Sequence, residues 1–347
     1  MSDGSERRFD RQARFAGFGP AGQERLGAAR VLIVGCGALG GSLAQQMARI
    51  GVGELVLVDR DVVEWTNLPR QVLFTEAHAR SGAPKATAAA ETLAAIGGPT
   101  RIEAHVAHVD GENLDELARG AALVLDGTDN LATRYLINDW CVRERVPWIY
   151  GGVVGASGLV MPVLPERGAC LACLFPEPPP AEHLATCDTV GVVLPAVQAV
   201  TALQAALAMR WLGADDARRA EFETWLVEID VWRGEQRRVR ASRDPECATC
   251  GKREFRHLES GGERAAVVLC GRNTVQVRPT RRGTKLDLER VLANVRASAA
   301  SAERLASFAR FEVEGFRVTL FADGRALVEG TSDAGRARAV YDRWIGT

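Results

Sequence analysis

At 347 residues the chain has room for one large α/β domain and a smaller one. The formal net charge of -1 excludes a broad basic field that would steer nucleic acid or an anionic membrane toward it. The first residues, Met-Ser-Asp-Gly-Ser-Glu-Arg-Arg, hold no apolar h-region. That points to a cytoplasmic protein, in which the eight cysteines are expected to serve metal binding or catalysis before disulfides. The nearly charge-free stretch from Gly191 to Met209 is about long enough to span a bilayer. It also carries Pro195, Gln198, Thr201 and Gln204, and reads as a buried core or subunit-contact helix.

Taken in chain order, residues 1–29 read as an N-terminal helical segment of one or two short helices. From residue 30 to about 160, strands and helices alternate. Strands are expected at Arg30–Val34, Leu55–Asp59, Arg101–His105, Leu123–Leu125 and Trp148–Tyr150. Helices are expected at Gly40–Ile50, Pro84–Ala95, Asn113–Ala118 and Thr133–Arg145. Solid apolar strands separated by helices predict a doubly wound, mostly parallel Rossmann-like α/β sheet covered on both faces. Further β structure follows in Gly151–Pro165, then a helix at Leu194–Trp211 and late antiparallel strands at Glu223–Val231 and Arg237–Arg240. After a composition break near Cys250, residues 262–347 read as a small α+β C-terminal domain beside a 30–255 nucleotide-binding domain. Its strands are placed at Ala265–Cys270, Thr274–Val277, Phe311–Val313, Phe316–Phe321 and Ala326–Glu329. Two helices, Asp287–Ser298 and Asp333–Ile345, complete it, with a hairpin turn at Asp323-Gly324 and Ser332 as an N-cap.

The chemistry starts in the glycine loop Gly35-Cys36-Gly37-Ala38-Leu39-Gly40, directly after the first strand. Gly35 permits the tight turn, Gly37 lets phosphate approach the backbone, and Gly40 allows close helix–sheet packing. Asp59, about twenty residues on, is expected to accept from ribose hydroxyls. Asp61 reads equally well as a helper or as a solvated loop acid. Asn67, Arg70, Gln71 and Lys85 follow on the same sheet edge. The guanidinium fork and the ammonium point charge suit a polyphosphate better than a nicotinamide dinucleotide.

Asp126-Gly-Thr-Asp-Asn130 ends a buried strand, where ligands bind in open α/β sheets. Asp129 is the candidate Mg²⁺ ligand, with Asp126 as a structural acid and Asn130 beside them at the nucleotide or as a cap. Arg134, one helical turn on, is placed to orient phosphate or Asp129. Cys170-x-x-Cys173 and Cys247-x-x-Cys250 supply four soft ligands in two turns, the spacing of a closed structural Zn²⁺ site. Cys187, after the proline-rich spacer 176–180, is either an acyl or persulfide acceptor or an ordinary loop cysteine. Cys36, Cys141 and Cys270 read as small core residues, and the five histidines show no ligand spacing.

Together these segments resemble the ThiF/MoeB family, bacterial relatives of ubiquitin-activating enzymes that adenylate the C-terminal glycine of small sulfur carriers. The resemblance rests on Arg8-Phe-Asp-Arg-Gln12, Val31–Gly40, Val58-Asp-Arg-Asp61, Thr66–Gln71, Pro84-Lys85, Leu125–Asn130 and the paired cysteines, over roughly residues 6–255. It implies ATP with Mg²⁺, structural Zn²⁺, a homodimer and a ubiquitin-like carrier ending in Gly-Gly. A sulfurtransferase partner fits the same pattern. It further implies that Arg11 reaches the partner subunit's ATP and that Asp59 holds ribose. Asn67, Arg70 and Lys85 would take the phosphates and Asp129 the Mg²⁺. An NAD(P)-dependent oxidoreductase would explain the glycine loop and Asp59 but gives Arg70, Lys85 and Asp129 no task. A non-catalytic scaffold would not need Arg11, Arg70 and Asp129.

Overall fold

The computed structural model describes residues 7–177, 190–259, 266–269, 273–279, 285–305 and 308–346. The first sheet contains β1 (Arg30–Val34), β2 (Glu54–Asp59), β3 (Arg101–Val106), β4 (Leu123–Asp126) and β5 (Trp148–Val154). It continues through β6 (Ser157–Val163), β7 (Trp225–Asp230) and β8 (Glu235–Arg240). The strand order is β3-β2-β1-β4-β5-β6-β7-β8. β1 to β5 are mutually parallel, and β6, β7 and β8 add on antiparallel. The mostly parallel sheet with late antiparallel strands agrees with the expected class.

β1 shows why the strands read as solid apolar runs. Successive side chains point to opposite faces, and both faces are covered. Val31 and Ile33 enter one core layer with Leu43, Met47, Ala88 and Val200, from the helices Ala38–Ile50, Lys85–Ile96 and Leu194–Gly213. Leu32 and Val34 enter the other with Ile137 and Trp140 of the helix Leu131–Glu144. The helix Leu194–Gly213 contains most of the nearly charge-free stretch singled out above. Its Thr201 and Gln204 are fully enclosed, and among the described residues no helix is long and apolar enough to cross a membrane. The strand order reverses between β1 and β4, the position where open α/β sheets bind ligands.

A second, antiparallel sheet orders β11 (Ser301–Arg304), β12 (Phe308–Val313), β13 (Phe316–Phe321), β14 (Ala326–Glu329), β10 (Thr274–Val277) and β9 (Ala266–Leu269). The helices Leu288–Val295 and Ala334–Trp344 close its separate core, with Val291, Leu292, Val340 and Tyr341 against Phe311 and Val318. Two local expectations are corrected. β11 was not expected; it is a largely exposed edge strand without apolar alternation. The last helix is capped by Asp333 rather than Ser332: the Asp333 carboxylate accepts the N–H groups of Gly335 and Arg336, at 2.8 and 3.0 Å.

Candidate functional site

The turn after β1 and the loop after β4 are packed backbone to backbone. Gly35 has φ +86°, and a Cβ on it would lie 2.7 Å from the Gly127 carbonyl oxygen. A Cβ on Gly40 would lie 1.7 Å from the Gly35 carbonyl oxygen. Gly37 differs: its nearest neighbour would be Gln71 Nε2 at 3.8 Å, so this side of the turn is open. Among the described residues no side chain caps the helix that begins at Ala38. The helix N-terminus behind Gly37 therefore has the form of an anion cradle.

Asp59 ties this turn to β2. Its Oδ2 accepts the Cys36 N–H and its Oδ1 the Asp61 N–H, both at 2.7 Å. Burial pushes its pKa up and the Asp61 charge adds to that, while the Lys85 ammonium works the other way. Each oxygen keeps a further lone pair for a hydroxyl. The Cys36 thiol is held well above its ordinary range by burial and by Asp59, which makes it an inert core residue.

Lys85 is buried, its Nζ 3.4 Å from Asp61 Oδ2, and its backbone N–H donates to the Asp61 carbonyl at 2.9 Å. Asp61 thus forms ion pairs with Lys85 and, at 3.7 Å, with Arg60. The buried Asn67 side chain accepts the Glu64 N–H at 3.0 Å in a capping box, which fixes the loop carrying Arg70 and Gln71. Arg70 donates through Nη1 to the Thr66 carbonyl at 2.7 Å. Gln71 is buried, and its Oε1 meets no donor among the described residues.

The acids after β4 divide into two environments. Asp126 is fully enclosed and accepts from Thr128 N (2.9 Å), Thr128 Oγ1 (2.8 Å) and Arg134 Nε (2.9 Å). It is structural. Asp129 is exposed, with no hydrogen bond or ion pair to it among the described residues. Asn130 is the N-cap of the next helix, accepting the Thr133 N–H at 3.1 Å. Arg134 is buried, and Nη2 donates to the carbonyls of Thr128 (2.6 Å) and Gly151 (2.9 Å). It braces the Asp126 loop from beneath, and the Asp126 charge holds its pKa up despite burial.

Sequence reasoning gave no task to Gln204. Its Nε2 donates to the carbonyls of Asp126 (3.0 Å) and Ile149 (3.2 Å), so the long helix supports the floor of the site. A Cβ on Gly151 would lie 2.5 Å from that amide. A glutamine midway along an otherwise apolar run is the signal that could have exposed it.

The four expected zinc ligands converge. The sulfurs of Cys170, Cys173, Cys247 and Cys250 all lie within 4.8 Å of one another. The closest pairs are 3.3 Å (Cys173–Cys250), 3.6 Å (Cys170–Cys247) and 3.8 Å (Cys170–Cys173). Sulfurs placed about 2.3 Å from one tetrahedral zinc stand about 3.8 Å apart, so the cluster fits that ion. Two adjacent residues that the sequence did not single out hold both turns. Asn138 Oδ1 accepts the Leu171 N–H at 2.8 Å, and Asp139 Oδ1 accepts the Thr249 hydroxyl at 2.9 Å.

Arg11 is exposed in the last turn of the short helix Asp10–Ala13, with no hydrogen bond or ion pair among the described residues. Cys187 lies outside the described residues, as does Cys270. Cys141 is buried, as expected of a core thiol.

The pattern of the ThiF family matches residues 9–249. The chain belongs to the ThiF family. It is 39% identical to the "Sulfur carrier protein ThiS adenylyltransferase" of Bacillus subtilis (strain 168), over 98% of this chain and 99% of that protein. It is also 39% identical to the "Sulfur carrier protein adenylyltransferase" of Thermus thermophilus, over 70% of this chain and 90% of that one. Among solved structures, that of E. coli MccB superposes with a TM-score of 0.61 at 22% identity, covering 72% of this chain and 74% of that chain. This last likeness concerns the fold. The second sheet lies beyond the family match, in a part of the chain that the similarity to the Bacillus protein also covers.

Proposed function

We propose that this ThiF-family chain is an ATP-dependent adenylyltransferase that activates the C-terminal glycine of a small ubiquitin-like sulfur carrier, in the cytoplasm. The observation that carries this reading is the division of the β4-loop acids, one locked under Arg134 and one exposed beside the glycine turn. A dinucleotide site has no need of that exposed acid; a metal-bound polyphosphate does. The full-length similarity to a ThiS adenylyltransferase supports a carrier of the ThiS kind.

In this account the triphosphate lies over Gly37 at the N-terminus of the helix Ala38–Ile50, and the ribose hydroxyls bond Asp59. Asp129 would hold Mg²⁺, which supplies positive charge to phosphate oxygens when bound. A carboxylate oxygen of the carrier's last glycine attacks the α-phosphorus. The bond from that phosphorus to the bridging oxygen breaks, and pyrophosphate leaves with the electron pair. Lys85, Arg70 and, from the partner of a homodimer, Arg11 balance the charge that develops. Fixed charge and positioning carry the rate. Arg134, Gln204 and Asn67 act indirectly, by holding the loops that present these groups. Cys187 is assigned the onward step: its thiolate takes either the acyl group, with AMP leaving, or the outer sulfur of a persulfide on a sulfurtransferase partner, with the donor cysteine leaving as its thiolate.

Carrier-dependent exchange of labelled pyrophosphate into ATP tests the reading. Exchange is expected with a carrier ending in Gly-Gly and lost in Asp129→Ala. Undiminished exchange in that variant would remove Asp129 from its role.

A further inference from the structure

Two polar side chains enclosed on one face of the second sheet make no hydrogen bond. Gln276 is fully buried, and neither its Nε2 nor its Oε1 meets a partner. Arg325 is only 4% exposed, and its Nε, Nη1 and Nη2 all lack an acceptor. Among the described residues eleven buried side-chain polar atoms are unpaired, and five of them belong to these two residues, so the deficit is local. The ion-pair neighbour of Arg325 is Asp323 in the same turn, half-exposed, with Oδ2 3.6 Å from Nε. The guanidinium lies over the Phe321 ring, 4.0 Å from its centroid.

The strand register sets the two side by side. Gln276 stands opposite Leu327, and the Phe321 N–H donates to the Arg325 carbonyl at 2.8 Å, which sets Arg325 opposite Phe321. Val275, Val277, Leu320, Ala326 and Val328 fill the core on the helix side of the sheet. Side chains alternate along a strand, so Gln276, Leu327, Arg325 and Phe321 share the other face. Gln276 and Arg325 are diagonal neighbours there, a spacing of about 7–8 Å that long side chains bridge. Phe321 packs with Phe308 against Val62, which places the pair in the seam between the two sheets. Arg278, two residues beyond Gln276, is already paired with Asp110 at 3.2 Å.

An apolar seam gains nothing from an unpaired guanidinium and carboxamide, and apolar side chains would fill it as well. The donor fork of Arg325 suits two oxygens of one oxyanion. Gln276 adds an amide donor and a carbonyl acceptor, and the acceptor calls for an O–H on the same ligand. Sulfate and carboxylates carry no proton at neutral pH. A phosphate monoester loses its last proton above a pKa of about 6. Inorganic phosphate keeps one. We propose that Arg325 and Gln276 form a binding site for inorganic phosphate in the seam, with the Arg325 fork donating to two oxygens and the Gln276 amide oxygen accepting the remaining O–H. The site is separate from the glycine turn and does not depend on the adenylyltransferase reading.

Equilibrium dialysis of the full chain against labelled phosphate at about pH 8 tests this, with unlabelled phosphate, sulfate and methyl phosphate as competitors. On the parent, sulfate and methyl phosphate are expected to compete about tenfold less well than phosphate, or worse. Arg325→Met keeps the packing on Phe321 and removes the fork; it should bind phosphate about tenfold more weakly or less. Gln276→Leu keeps the fork and removes the acceptor; it should bring sulfate to within about twofold of phosphate. Label that binds Arg325→Met as tightly as the parent, as phosphate held only at the Gly37 turn would, overturns the proposal. A parent that binds no label, equal competition by sulfate or methyl phosphate on the parent, or an unchanged preference in Gln276→Leu does the same. Should Arg325→Met fail to fold, the parent and Gln276→Leu still decide the outcome.

Discussion

Gly40 sits so close to Gly35 that a Cβ added to it would fall 1.7 Å from the Gly35 carbonyl oxygen, whereas one added to Gly37 would meet nothing nearer than 3.8 Å. The obstacle at Gly40 is backbone and cannot turn aside. Gly40→Ala should therefore destabilise the fold by about 3 kcal/mol or more. Gly37→Ala should melt like the parent yet bind ATP about tenfold more weakly, because the methyl group occupies the phosphate cradle. Urea denaturation and ATP titration separate the two effects.

Asp126 and Asp129 are three residues apart and should respond oppositely to the same change. Asp126→Asn removes the charge facing the buried Arg134 and should cost about 3 kcal/mol of stability. Asp129→Asn should leave the melting temperature unchanged and lower pyrophosphate exchange about 100-fold or more. Thermal melts run beside exchange assays check both.

The cysteine cluster predicts about one zinc per chain by elemental analysis. Cys250→Ser should lose the metal and lower the melting temperature. Asp139→Ala should lower it as well with the four thiolates intact, since Asp139 holds the second cysteine turn through Thr249.

His108 gives the stability a pH dependence. Burial and the charges of Arg60, Arg278 and Arg325 push its pKa down to about 2, against the weaker pull of Asp61. The unfolded chain, with a histidine pKa of about 6.5, binds the proton that the folded chain refuses. Stability is complete above that value and falls as the pH drops below it, by at most about 1.4 kcal/mol per pH unit for this group. His108→Gln should flatten the dependence between pH 6.5 and 5. An unaltered slope in chemical denaturation would remove His108 as its source.

Much of this arrangement is legible in the chain because it is local. The bounds of β1, β10, β13 and β14 follow from apolar runs cut by glycine or charge, and the glycine loop and cysteine pairs declare themselves by spacing. Asp61 could be read two ways because one of its partners, Lys85, stands 24 residues on. Gln204 and the Asn138–Asp139 pair were silent because their partners are brought to them by the tertiary fold: Gln204 bonds the Asp126 carbonyl across 78 residues, and Asp139 bonds Thr249 across 110. Arg325 was silent too, as one arginine among many until a second sheet enclosed it. β11 has no pattern to read, being an edge that buries little.

The most direct test of the account is the intact mass of a Gly-Gly carrier after incubation with this chain, Mg²⁺ and ATP. The account predicts a carrier heavier by one adenylyl group, with pyrophosphate released in equal amount. An unmodified carrier, with ATP cleaved instead to ADP and phosphate, would place the attack at the wrong phosphorus and contradict it.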